Sequence, residues 1–151
     1  FGGHKKACGI SMDIGSFDVF CKRLSDIVKK KISVSDLQKK YEYDIQLDFT
    51  DIDIRFFKEM ELLKPFGESN PKPLFLSTDC IVRQCMFLKD GKHCKIFLER
   101  DGITLEGLLF KIDNRKKEII EKKQIIHVLY SLQLNVWNGS KSIQLIIKDI
   151  Y

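Results

Sequence analysis

The sequence predicts an α+β chain, with helix and strand mixed in its front half and β-structure in its back half. Three observations carry this. An apolar rhythm of three and four residues runs from Phe17 to Val28. All three prolines of the chain fall between Pro65 and Pro73. Beyond them, β-branched and aromatic runs are punctuated by Asp90-Gly91, Asp101-Gly102 and Asn138-Gly139, dipeptides suited to the positive φ of tight hairpins.

The front half reads element by element. Ser16 is placed to cap a helix. Phe17, Phe20, Cys21, Leu24, Ile27 and Val28 then form one apolar face. Lys29, Lys30 and Lys31 fall in its last turn, where cations suit the helix dipole, so the run has a structural reason beside a DNA-binding one. A short second helix is predicted over residues 34–40. Tyr41, Tyr43, Ile45, Leu47 and Phe49 alternate with polar residues, the period of a half-buried strand. Thr50-x-x-Asp53 resembles a capping box. It opens a predicted helix through Phe56, Phe57, Met60 and Leu63, which Pro65 ends.

Three prolines in nine residues predict an extended, stiff connector from Pro65 to Pro73. Its apolar flanks, Leu62, Leu63, Leu74 and Phe75, predict that it packs between two subdomains. Five strands follow: 74–88, 93–100, 103–110, 124–137 and 142–150. The fourth is long enough to need a bend or bulge. The charged stretch from Asp113 to Lys123 is helix or loop. Five strands with a helical insert after the third is the order of an OB-fold barrel. A five-strand meander or a small sandwich fits the same hydropathy.

With 151 residues, the chain can bury a core as one domain or two small ones. Hydrophobic residues are 44% and charged residues 31%, ordinary for a globular protein. No apolar run approaches a membrane span of about 20 residues, and the first residues do not read as a signal peptide. The chain lacks an initiator Met, so it is expected to begin within a longer protein. The net charge of +5 fits a nucleic-acid binder and fits many cytosolic enzymes equally. Six basic residues stand against three acidic ones between Lys111 and Gln124, a stretch read as a solvated helix face. Five cysteines, with no Cys-x-x-Cys pair, suggest neither a zinc site nor a disulfide framework. They are expected to be mostly small buried residues in a reducing cytoplasm.

Three segments carry a family resemblance. FGGHKKACG at 1–9 resembles the Gly-Gly-His motif of the DHHA1 domain of DHH phosphoesterases. LLKPFGESNPKPLF at 62–75 resembles the joint of the RecJ family, bacterial 5′→3′ exonucleases specific for single-stranded DNA. LNVWNGSKSIQLIIKDI at 134–150 resembles the end of that family's OB domain. Cys8 and Ser69 depart from the pattern; Ser69 replaces a Gly, which costs strain if that position needs positive φ. The resemblance implies three segments: the end of a DHHA1 domain at 1–63, a joint at 64–74 and an OB domain at 75–151. It implies Mn²⁺ or Mg²⁺ in the parent enzyme, held by Asp and His residues that this chain does not group. The chain alone is then expected to be inactive.

The resemblance also implies that Gly2, Gly3 and His4 contact substrate phosphate. Lys5 and Lys6 would add charge beside them. OB barrels hold ligands across strands two and three, between the loops joining strands one to two and four to five. That points to Lys89, Lys92, His93, Lys95, Arg100, Trp137 and Lys141, with Trp137 as the stacking residue. Phe97 and Phe110 read as core residues, and His127, inside an apolar strand, as structural. The expected partner is single-stranded DNA, with a single-strand-binding protein or helicase as protein partners, for a monomer with no membrane association. Other readings remain open: a stand-alone single-strand-binding OB module, a protein-docking OB module, or another DHH phosphoesterase.

Overall fold

The computed structural model describes residues 1–4, 7–33, 36, 40–122 and 125–151. The chain forms two compact units, Phe1–Tyr41 and Glu42–Tyr151.

In the first unit, β1 (Gly2–His4) pairs antiparallel with β2 (Ala7–Gly9), Gly3 lying opposite Cys8. A 3₁₀ turn at Ile14–Ser16 leads into α1 (Phe17–Lys31). Ser16 occupies the N-cap position, yet its side chain makes no capping hydrogen bond. Its backbone is already helical, so the hydroxyl does not meet the first free N–H groups. No residue of α1 is buried, and Phe17, Leu24, Ile27 and Val28 are exposed. The helix predicted over 34–40 falls largely outside the described residues.

The second unit begins with β3 (Ile45–Gln46), which lies parallel to the head of β4 (Phe75–Leu88). The predicted strand through Phe49 shortens to these two residues. A 3₁₀ turn at Phe49–Asp51 interrupts it and rolls Leu47 and Phe49 into the core, while Tyr43 and Ile45 stay exposed. Asp53 caps α2 (Ile54–Glu61): its Oδ1 accepts from the Phe56 N–H at 2.7 Å. The expected box capped by Thr50 is therefore replaced by a cap at Asp53, with Thr50 in the preceding turn.

The proline segment is a looped turn rather than an extended connector. Gly67 N–H donates to Asn70 O at 2.8 Å, and the Asn70 amide donates to Leu63 O and Pro65 O at 2.8 and 2.9 Å. The Lys64–Pro65 peptide is cis. Ser69 is not at positive φ, so a Ser in place of Gly is unstrained there. The compact units part at Tyr41/Glu42 and not within this loop. The physical reason is that Leu47, Phe49, Ile52, Phe57 and Met60 share one core with Phe75, Ile96, Leu98 and Leu145.

The remaining elements are β5 (His93–Arg100), β6 (Ile103–Phe110), α3 (Asn114–Lys122), β7 (Ile125–Trp137) and β8 (Ser140–Ile150). Six strands, rather than five, form the sheet among the described residues, in the order β3-β4-β5-β6-β8-β7. The sixth is the short β3. β4 also pairs with β7, so the pairings β4-β5-β6-β8-β7 return to β4. β4 serves both neighbours by bending: Phe75–Ile81 pairs with β7 and Ile81–Leu88 with β5. Register shifts at Ser77/Cys80 and Val82/Gln84, and Asp79 at φ 57°, make the bend. The long β7 carries its irregularity at Leu129/Tyr130. Asp101-Gly102 and Asn138-Gly139 take the positive φ their hairpins require. α3 is helical because Asp113 Oδ1 accepts from Lys116 N–H at 2.8 Å. Lys116 and Arg115 then reach Asp149 on β8 at 3.2 and 3.6 Å.

All five cysteines are free, but only Cys80 and Cys94 are buried; Cys8 is exposed and Cys21 and Cys85 are intermediate. Burial pushes the Cys80 thiol up to about 12 and the Cys94 thiol up to about 11. In the unfolded chain a thiol ionises near about 8.5. Stability is therefore full below that pH. It falls as pH rises toward the folded values, because the unfolded chain has lost protons that the folded one keeps. The expected slope is about 1.4 kcal/mol per pH unit for each thiol. Urea midpoints at about pH 7.5 and about pH 10 measure it. A midpoint independent of pH over that range would contradict the assignment, and Cys80→Ala should flatten the decline.

Candidate nucleic-acid interface

Strand alternation decides what β5 shows to the outside. Cys94, Ile96 and Leu98 are buried, so His93, Lys95 and Phe97 face outward. The register sets His93 opposite Phe110, Lys95 opposite Leu108 and Phe97 opposite Glu106. Lys95 Nζ lies 2.7 Å from Glu106 Oε2 and 5.5 Å from the centre of the Phe97 ring. Glu106 Oε1 also accepts from Gln144 Nε2. Phe97 and Phe110, read as core from the sequence, sit instead on this outer face, Phe97 half-buried and Phe110 exposed. The parity of β5, with Phe97 between two buried neighbours, was the signal that could have placed it.

The β7–β8 hairpin supplies a second wall. Its register pairs Trp137 with Ser140 and Asn135 with Ser142, so these four side chains share one face. With Lys95 and Glu106 they line a groove. Trp137 is 73% exposed, neither plugging the sheet end nor packed against the proline loop. Val136 and Lys141 pair on the opposite face of the ribbon, so Lys141 does not share the groove with Trp137.

The β4–β5 turn is basic. Lys89 and Lys92 are exposed, and Lys89 takes φ 49°. Lys117 of α3 joins them: its Nζ lies 2.8 Å from where a Cβ on Gly91 would stand. Sequence reading missed Lys117 by treating its stretch as a solvated face. His93 Nδ1 accepts from Lys111 N–H at 3.2 Å, and its ring meets the Phe110 ring edge-on at 5.3 Å. Arg100 is placed differently from the expectation. Its side chain, 17% exposed, pairs with Asp48 at 2.5 Å and Asp101 at 3.3 Å. Those contacts fasten the segment before α2 to β5 and take Arg100 out of the outer face.

Gly2, Gly3 and His4 form β1, in the separate first unit. The space at Gly2 is open, whereas a Cβ on Gly3 would lie 2.5 Å from Cys8 Cβ. Gly3 is thus required by its own hairpin, whatever else it contacts. Lys5 and Lys6 lie outside the described residues. Among the described residues no three His, Cys, Asp or Glu side chains gather to hold a metal.

Strands ordered β4-β5-β6-β8-β7, a helix joining β6 to β7, and an aromatic and basic outer face on β5 and β6 define an OB-type domain. Comparison with known proteins narrows that class. The chain belongs to the RecJ OB domain family, whose family model matches residues 43–149, nearly all of the second unit. It is 27% identical over 150 residues to the single-stranded-DNA-specific exonuclease RecJ of Bacillus subtilis, covering 99% of this chain and 19% of that protein. It is 27% identical to the RecJ of Escherichia coli, covering all of this chain and 26% of that protein. The crystal structure of Thermus thermophilus RecJ with Mn²⁺ superposes with a TM-score of 0.78 at 25% identity, covering 99% of this chain and 21% of that one. The same protein with Mg²⁺ gives 0.76 at 26% identity. The chain thus spans about a fifth to a quarter of the relatives it matches.

No described helix is long and apolar enough to cross a membrane.

Proposed function

We propose that this chain is the DNA-binding C-terminal part of a RecJ-like single-stranded-DNA-specific 5′→3′ exonuclease of bacterial repair and recombination. In this reading the metal-dependent cleavage belongs to other parts of the parent protein. This chain holds and guides the strand. The observation that carries the reading is one outer surface: Phe97 and Phe110 on β5 and β6, the basic turn of Lys89, Lys92 and Lys117, and the exposed Trp137 of the β7–β8 hairpin. Aromatic platforms beside a basic track suit unpaired bases, because every base has a face to stack while duplex DNA hides its own.

The Gly2-Gly3-His4 hairpin is proposed to meet substrate phosphate as part of a DHHA1 segment that precedes the OB domain. The open space at Gly2 leaves its backbone accessible to an anion. The parent is proposed to work with Mn²⁺ or Mg²⁺, as a cytoplasmic monomer, alongside single-strand-binding protein or a helicase.

Fluorescence anisotropy with labelled oligo-dT and with duplex of equal length, at two salt concentrations, tests the reading. Tighter single-strand binding that weakens with salt is expected. Trp137→Ala should lose about 1–3 kcal/mol of it, and Lys92→Ala should reduce the salt slope. Arg100→Gln should leave affinity unchanged and cost only stability, since its partners are Asp48 and Asp101. Equal affinity for duplex, or none for either, would point to a protein-docking module.

A further inference from the structure

The groove beside Trp137 differs chemically from the basic turn at the other end of the face. Its two charged side chains, Lys95 and Glu106, are joined at 2.7 Å and cancel. Its other polar groups, Asn135, Asn138, Ser140 and Ser142, are neutral hydrogen-bonding side chains. A phosphate entering here would meet the Glu106 carboxylate and find no unspent cation. A flat, uncharged ring would meet an exposed indole, 73% accessible, and a ring of polar groups that match base edges.

The carboxylate also sets a polarity. Glu106 Oε2 holds Lys95 and Oε1 holds Gln144, which is two acceptances out of about four that a carboxylate offers. An amino N–H approaching the open lone pairs is welcomed; a carbonyl oxygen there is repelled. Glutamate accepting from the cytosine amino group is an established pairing in base readout.

We infer that this groove takes a single unpaired nucleobase, stacked on Trp137, and favours bases with an exocyclic amino group over those with a carbonyl at the same position. The inference rests on the single-strand-binding reading and adds a base preference to it. Phosphates would run along the Lys89–Lys92 turn and the base would be held at Trp137.

Trp137 is the sole tryptophan of the chain, so its intrinsic emission reports stacking directly. The test titrates the full chain with oligodeoxycytidine and oligodeoxyuridine of equal length, whose bases differ in the amino or carbonyl group at C4. Quenching by both, with about fivefold tighter binding of the cytidine oligomer, is expected from one amino–carboxylate contact. Glu106→Gln should erase the preference, because an amide can present either a donor or an acceptor. Equal affinity for the two oligomers overturns the preference. Binding seen by anisotropy without any change in Trp137 emission overturns the base site and leaves the single-strand reading standing. Absence of binding to either oligomer at low salt removes both.

Discussion

Replacing Ser77 by Ala is expected to destabilise the Glu42–Tyr151 unit by about 3 kcal/mol, against about 1 kcal/mol for Tyr130→Phe. The two hydroxyls touch at 2.8 Å in a fully buried site, so an equal cost would be the naive expectation. Direction breaks the symmetry. Ser77 has one O–H, and it donates that to Leu47 O at 2.7 Å. Tyr130 must therefore be the donor in the pair. Burial, the largest influence on its phenol, pushes its ionisation above the ordinary range and keeps it neutral for that task. Removing Ser77 Oγ strands a carbonyl and a phenol together, and each buried orphan costs about 1–3 kcal/mol. Arg100 Nη1 is 3.5 Å from the same carbonyl, too far to replace the lost bond. Removing the Tyr130 hydroxyl leaves the Ser77–Leu47 bond intact. Urea unfolding of the two variants measures the difference. Equal losses, or a larger loss for Tyr130→Phe, would show that the hydrogen-bond chain runs otherwise.

Gly107→Val is expected to cost about 3 kcal/mol, and Gly107→Ala clearly less. A Cβ at this position would stand 2.7 Å from Ile147 Cδ1 and 3.2 Å from Ile96 Cγ2. The nearest obstacle is the end of an isoleucine side chain, which can turn aside for one methyl. The entropy gained by replacing Gly offsets part of the Ala cost. It cannot turn aside for a branched side chain wedged between two buried isoleucines. Gly107 lies between Glu106 and Leu108, so a displaced β6 also displaces the outer face. Denaturant midpoints give the stability, and Trp137 emission reports whether the groove has moved. If Val costs no more than Ala, the core there is looser than its burial implies.

The back half was legible because its signals are local. Asp101-Gly102 and Asn138-Gly139 name turns that only positive φ can make, and both take it. The order of strands around one intervening helix then follows from where those turns fall. The front of the second unit was less legible, for reasons that are not local. The alternation from Tyr41 to Phe49 is genuine, but strand length depends on a partner, and the turn at Phe49 ends the pairing with β4 early. Thr50 and Asp53 both suit capping, and only packing chose Asp53. Prolines told of restricted φ; they did not tell that Asn70 would fold the segment back on Leu63 and Pro65.

The candidate site shows the same split. Trp137 was legible because it stands beside a hairpin turn, where little can cover it. Phe97 and Phe110 were misplaced because hydrophobicity was allowed to override strand parity. Arg100 follows parity to the inner side of β5, where Asp48, far off in sequence, awaits it. Lys117 joined the basic turn only through the packing of α3, which no spacing rule expresses.

The doubled pairing of β4 bears on how the protein is made. Its first half, Phe75–Ile81, finds its partner in Ile125–Tyr130, so some fifty residues must follow before those N–H and C=O groups are answered. A ribosome building this chain carries an open strand edge through nearly half of the second unit's synthesis. Any product stopped before Ile125 keeps that edge for good, and an open edge of apolar strand is a template for the next copy. Truncated chains of this protein should therefore accumulate as aggregates rather than as soluble monomers.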